Sequence, residues 1–170
     1  PTLGAFGVAG ALADPRLDLI PSNVSAATQS NEDWAGGPAL AGAFADAGAF
    51  ALPAGSKDAA LLATLAPASF TARITTGLTG SGGLALAEVY DRDGAGTAGR
   101  LINLSTRGFV PAGGDLTVGF AIRGGSGKSL LVRGIGPTLG TFGVAGTLPD
   151  PKLDLIPSGA STALNSNDDW

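Results

Sequence analysis

The side chains in this sequence that are best suited to chemistry are carboxylates in predicted turns. Asp91 and Asp93 stand two residues apart after a predicted strand, and Gly94 follows them. Carboxylate oxygens on a loop are ligands that Ca²⁺ prefers, so the pair is a possible calcium site. A solvated Asp-Gly turn is the alternative, because no glutamate closes a twelve-residue EF-hand loop. The acidic clusters at 31–33 and 167–169 pose the same choice between calcium ligands and turn caps.

Catalytic residue types are nearly absent. The chain has no histidine and no cysteine, which excludes Ser-His-Asp catalysis, thiolate chemistry and the usual zinc ligand sets. Glu88 is the only glutamate in a predicted strand, and no second carboxylate is placed to face it across a cleft. The segment GGSGKS at 124–129 lacks the first glycine of a phosphate-binding loop, where Ile122 stands instead, and it lies between two predicted strands. We therefore predict a protein without catalytic activity or an organic cofactor.

An internal repeat organises the chain. Residues 1–34 recur at 137–170 without a gap, and 24 of the 34 positions are identical. Such a spacing is the length of a whole domain, far above that of solenoid repeats, so we predict a string of similar domains. Residues 1–34 are then a partial repeat, 35–136 are the rest of the module, and 137–170 begin the next module or complete a neighbour. The chain starts inside the motif without methionine, which predicts a processed product, or a piece of a longer protein, that has already lost any signal peptide.

Composition limits the partners. The net charge is −4 and the ten lysines and arginines are scattered, so we expect no nucleic-acid partner. No run of 18 apolar residues is present, which predicts no membrane span. Hydrophobic residues make up 44% of the chain and charged residues only 14%. That charge is low for a free monomer, which suggests a surface covered by neighbours.

The apolar pattern predicts an all-β protein. Alternation of period two marks strands, and Gly- and Pro-rich breakers separate them at regular distances. These features are typical of an antiparallel β-sandwich, Ig-like or jelly-roll-like, with at most one short helix near 38–47. The predicted strands lie at 17–22, 61–65, 70–75, 84–90, 102–104, 116–123, 130–132 and 153–158, with 24–29 and 160–165 pairing back as hairpin partners. The predicted core comprises Leu61, Leu65, Phe70, Ile74, Leu86, Val89, Val118, Phe120, Leu130 and Val132.

The stretches 48–91, 100–110, 128–156 and 165–170 resemble a β-sandwich module that is repeated in large secreted proteins of Verrucomicrobia-type bacteria. The core of the first stretch, TLxPxxxTAxxxGxxGxxGxxLxEVYD, is also similar to the bacterial pre-peptidase C-terminal domain. The resemblance implies a secreted, non-catalytic module that occurs in tandem or at the ends of longer proteins. An extracellular or cell-surface location is therefore expected.

Two functions follow as expectations. The first is a structural repeat subunit of an extracellular fibre or surface protein, whose partner is itself, either as a homopolymer or as tandem repeats. Assembly would run head to tail through the repeated segments, by strand addition or by chain continuity. The residues expected to carry it are Leu17, Leu19, Ile20, Leu153, Leu155, Ile156, Trp34 and Trp170. The alternative is a carbohydrate-binding or accessory domain of a secreted hydrolase, in which the two tryptophans would stack on sugar rings. A tryptophan that ends a hairpin is, however, typical of a core.

Overall fold

The computed structural model describes residues 1–77, 80–93 and 98–168. The chain divides into two compact units, Pro1–Asn103 and Leu104–Trp170. Each unit contains one copy of the repeated segment. Within the described residues, no helix has the length and apolar character that a membrane crossing requires.

The first unit is built around a small antiparallel sheet. A 3₁₀ helix at Thr2–Phe6 precedes strands β1 (Pro15–Pro21) and β2 (Gln29–Asn31). Strand β3 (Phe70–Thr76) joins the far edge of β1, which gives the order β2-β1-β3. Both pairings are antiparallel, and all seven residues of β1 are paired with β3.

Helix α1 (Pro38–Ala47) has the bounds that the sequence predicts. Pro38 fixes the first helical position, where the missing N–H is not needed. Gly48 ends the helix in the left-handed conformation, with φ of 73°, and its N–H donates to the carbonyl of Ala45. Only a residue without Cβ adopts that backbone at little cost, so the glycine stops the helix at this point.

The helix covers the small core of the first unit. Leu12, Trp34 and Ala43 are its buried apolar residues. The ring of Trp34 packs on that of Phe44 with centroids 5.5 Å apart. Its indole N–H donates to the carbonyl of Pro53 at 3.0 Å, which satisfies the polar atom of a buried side chain.

The second unit repeats the start of the first. A 3₁₀ helix at Pro137–Phe142 is followed by β4 (Leu153–Leu155) and β5 (Asn165–Asn167). These two strands form a two-stranded antiparallel sheet. Among the described residues of this unit, β4 has no partner on its other edge.

The coarse prediction of antiparallel sheets with one short α-helix is confirmed, as are strands at both LDLIP segments and at 70–75. The hairpin partners lie later than predicted, because the turns after β1 and β4 extend to Thr28 and Leu164, whose N–H groups donate back to the strands. The sheets have three and two strands in the described residues, and neither is closed.

Five predicted strands are wrong. In the described residues, 61–65, 84–90, 102–104, 116–123 and 130–132 form no regular strand, apart from a single bridge between Ala11 and Leu84. Alternation of apolar residues favours a strand only where a second backbone supplies hydrogen bonds, and the chain offers none there. Seven predicted core residues are consequently exposed, namely Leu65, Leu86, Val89, Val118, Phe120, Leu130 and Val132.

Candidate assembly surface

The two copies of the repeat fold into the same backbone. In the first hairpin (β1 with β2), Asp18 lies opposite Ser30, and in the second hairpin (β4 with β5), Asp154 lies opposite Ser166. The serine hydroxyl donates to the aspartate at 2.7 Å in the first hairpin and at 2.6 Å in the second. Both repeated segments thus form a hairpin with the same register, although β4 is shorter than β1 and ends before Ile156.

The 3₁₀ helices before the hairpins also agree. Val8 N–H donates to Leu3 at 3.2 Å, and Val144 N–H donates to Leu139 at 3.3 Å. Gly7 and Gly143 end these helices with φ of 80° and 77°. The short-range sequence therefore determines the 3₁₀ helix and the hairpin of each copy, whereas the longer strand of the first copy, Pro15–Pro21 against Leu153–Leu155, pairs along its length with β3.

The first hairpin is covered by β3. Asp18 receives hydrogen bonds from Arg73 on β3 at 2.8 Å and from Arg16 at 3.0 Å. The Arg73 guanidinium, together with Ser30 and Arg16, lowers the pKa of Asp18 to about 2. A carboxylate with only 4% of its side chain exposed is thus held by two cations.

Residues around β3 complete the cover. Asp58 accepts a hydrogen bond from Thr2 N–H at 3.2 Å. Ala60 N–H donates to the side chain of Asn31 at 2.9 Å. Gly77 N–H donates to the Asp14 carbonyl at 2.6 Å. The helix start, the second strand and the approach to β1 are each sealed by a residue from 58–77.

The second hairpin has the same surface without that cover. Leu148, the counterpart of Leu12, is 38% exposed, whereas Leu12 is 6% exposed. The side chain of Asp154 is 37% exposed, and its cation is Lys152 at 3.4 Å. A cavity of about 880 Å³ opens beside β4.

This cavity lies beside residues of the second copy whose counterparts are covered by 58–77 in the first copy, and residues 131–136 also line it. Its lining includes Pro137, Thr138, Asp150, Asn167 and Asp168. Their counterparts in the first copy are Pro1, Thr2, Asp14, Asn31 and Glu32. We call the outer edge of β4 together with this cavity the open seat.

The expected assembly residues fall into three groups. Leu17, Leu19 and Ile20 are half-buried in β1, in the covered hairpin, and Leu153 and Leu155 are half-buried in β4. Ile156, just after β4, is 52% exposed. Trp34 is 5% exposed and belongs to the core, so it offers no platform for a sugar ring. Trp170 lies outside the described residues.

The possible calcium ligands form an ordinary turn. Asp91 and Asp93 are exposed, and an Asp91 carboxylate oxygen accepts the N–H of Asp93 at 3.0 Å. No group of three or more acidic side chains converges within residues 1–77, 80–93 and 98–168. Gly94 and Asp169, named with the acidic turns, lie outside the described residues.

Sequence reasoning missed the polar side chains that hold the cover in place. The sequence analysis does not name Asp18, Arg73 or Asp58 as functional residues, although Asp18 occurs in both copies of the repeat. Asp18 and Ser30 recur as Asp154 and Ser166. That retention of a polar pair inside an apolar strand segment was the signal that could have found it.

Comparison with known proteins gives no match, since no family model, no curated protein and no solved structure is significantly similar to this chain.

The hydrogen bonds from Arg16 and Arg73 to the Asp18 carboxylate make the stability of the first unit depend on pH. Because the pKa of Asp18 is lowered to about 2 in the folded chain, its stabilisation is present above the unfolded pKa near 3.8 and is lost as the pH falls toward 2. We expect the urea midpoint to drop between pH 5 and pH 2.5, and Asp18→Asn to lower the midpoint at pH 5 and flatten this dependence. The comparison is Asp154→Asn in the second unit, where the Ser166 hydroxyl and Lys152 also lower the pKa of the carboxyl, but no arginine takes part, so we expect this substitution to flatten the pH dependence less. An unchanged slope in Asp18→Asn would contradict the assignment.

Proposed function

We propose that this chain is a structural repeat module that assembles head to tail with further copies of itself into an extracellular fibre or a cell-surface array. The observation that carries the proposal is the duplicated hairpin, which is covered by β3 in the first copy and open in the second. Identical strand edges have identical hydrogen-bonding needs. The open seat of one module is therefore suited to a segment of another module.

Exposed apolar side chains support the same proposal. In the second unit, Phe109 is 83% exposed and Leu131 is 87% exposed. In the first unit, Ile102 is 84% exposed. Apolar surface of this kind marks sites of protein association, and the low charge of the chain gives little to keep copies apart.

We propose that the antiparallel β-sandwich forms when copies join, because the alternating segments 116–123 and 130–132 then gain backbone partners. The extracellular location is proposed on the resemblance to secreted tandem modules. The covered position of Trp34 does not favour the carbohydrate-binding alternative.

The test is self-association of the full chain. Sedimentation velocity and negative-stain microscopy are expected to find concentration-dependent oligomers or filaments, with a rise of the β signal in circular dichroism. Asp154→Pro removes the N–H on the outer edge of β4 and is expected to abolish assembly, as is deletion of 137–170. Ser166→Ala is the matched control, since it changes the same hairpin away from that edge. A monomer at all concentrations, or full assembly by Asp154→Pro, would refute the proposal.

A further inference from the structure

We infer that the second hairpin of one chain takes, on the β3 strand of a second copy, the place that the first hairpin occupies in its own chain. This inference rests on the proposed function and names its contact. The partner of the open seat is the segment 58–77 of a second copy of this chain. Two near-identical hairpins then compete for one strand.

Backbone geometry supports this pairing. Asp14 accepts a hydrogen bond from Gly77 at 2.6 Å, and Ser22 donates one to Ser69 at 3.0 Å. Even-numbered positions of β1 therefore face β3. On β4 the odd-numbered Leu155 accepts from Leu164 at 2.8 Å, on the β5 side. The even-numbered Asp154 thus presents its backbone groups to the open edge, as Asp18 does to β3.

The repeat fixes the register of the contact. In the first unit, Arg73 lies opposite Asp18. Transferred to the second hairpin, the same register places Arg73 of the second copy opposite Asp154. The two leucines of β4 then follow the pattern of β1, with Leu153 opposite Ile74 and Leu155 opposite Ala72.

Charge makes this register specific. Asp154 has Ser166 on one carboxylate oxygen and Lys152 on the other, at 3.4 Å. Asp18 has a second cation in Arg73, at 2.8 Å. An arginine at the open edge would supply Asp154 with the charge-assisted bond that distinguishes the covered copy from the open one.

The cavity receives the residues that flank β3. Asp58, Ala60 and Gly77 contact Thr2, Asn31 and Asp14 in the first unit. The counterparts of Thr2, which donates to Asp58, and of the acceptors Asn31 and Asp14 line the cavity beside β4. One segment of a second copy therefore contacts both parts of the open seat, the strand edge and the cavity.

Because the first hairpin occupies the edge of β3, it acts as an intramolecular inhibitor of assembly. The first hairpin is joined to its own β3 by the chain between Asn31 and Phe70, so their pairing is intramolecular and a second copy must compete with an effective concentration. Since the two hairpins pair almost alike, exchange between copies is opposed mainly by this tether. Weakening the first hairpin is expected to promote assembly, and weakening the second to prevent it.

The experiment uses the absence of cysteine in the natural chain. One full-length preparation carries Leu153→Cys and another carries Ile74→Cys, and the two are mixed under mild oxidation. Facing residues of a non-hydrogen-bonded antiparallel pair have the separation that a disulfide requires. We expect a heterodimer on a non-reducing gel. Adding Asp18→Asn to the Ile74→Cys chain is expected to raise the yield of the heterodimer roughly tenfold, because the loss of a charge-assisted bond weakens the pairing of the first hairpin with β3.

Three comparisons make the result decisive. Leu164→Cys in place of Leu153→Cys is the matched control, because Leu164 is 68% exposed in the same hairpin but lies away from the open edge. If Ile74→Cys fails to fold, Leu155→Cys with Ala72→Cys tests the same register. Cross-linking no better than the Leu164→Cys control, in chains whose assembly still requires the second hairpin, would overturn the inference and leave the proposed function standing. Absence of self-association in every variant would overturn the proposed function itself.

Discussion

Replacing Trp34 with alanine is expected to lower the free energy of unfolding of the first unit by about 3–5 kcal/mol. The side chain is 5% exposed and packs on Phe44 with ring centroids 5.5 Å apart. Alanine removes the largest buried side chain of the unit and leaves a cavity between α1 and the loop after it. Urea denaturation followed by circular dichroism measures the loss, which can leave the unit unfolded at 25 °C.

The matched variant separates packing from hydrogen bonding. Trp34→Phe keeps a ring on Phe44 but removes the N–H that donates to Pro53 at 3.0 Å. It is expected to cost about 1–2 kcal/mol, because the half-buried indole hydrogen bonds to Pro53 and Ser56 are lost and the ring is smaller. A loss below about 1 kcal/mol for Trp34→Ala would mean that this tryptophan is not a core residue.

Gly83→Ala is expected to destabilise the first unit by about 2–3 kcal/mol. A Cβ at this position would lie 2.7 Å from both Cα and N of Leu12, and backbone atoms cannot give way as a flexible side chain does. The bridge beside it would shift. That bridge consists of a Leu12 N–H bond to Leu84 and a Leu84 N–H bond to Gly10, both at 2.8 Å.

The neighbouring glycine is the control. A Cβ at Gly82 would meet no atom within 4 Å. Gly82→Ala is therefore expected to change the unfolding free energy by less than about 0.5 kcal/mol. The two substituted positions are adjacent, but the Leu12 backbone lies close to Gly83 only. Thermal unfolding compares the stability of the two variants directly. Equal stability of both variants would contradict the close approach at Gly83.

Local elements were predictable because their signals are local. Pro38 and Gly48 bound α1 through fixed and left-handed backbone angles, which depend on the residues themselves. The two copies of LDLIPS form strands in equal register because their short hairpins bring the partner within about ten residues. Both hairpins were predicted for this reason, and only the length of the turn was misjudged.

The long-range pairings were not predictable. The alternation at 70–75 and that at 116–123 are equally regular, yet only the first becomes a strand of a sheet. The reason is that β3 finds the edge of β1 some fifty residues earlier, with Arg73 opposite Asp18. An alternating pattern indicates that a segment can form a strand, but it does not predict which other strand will pair with it.

By itself, the sequence determined the duplication, the helix limits, the hairpins and the absence of histidine and cysteine. Only the tertiary structure decided which copy of the hairpin is covered. Residues 1–34 and 137–170 carry nearly the same information, and their local structures are the same. Asp18 is buried because β3 pairs with β1 within the first unit, whereas no described strand of the second unit pairs with that edge of β4; this difference depends on a strand distant in the sequence and not on either hairpin's own residues.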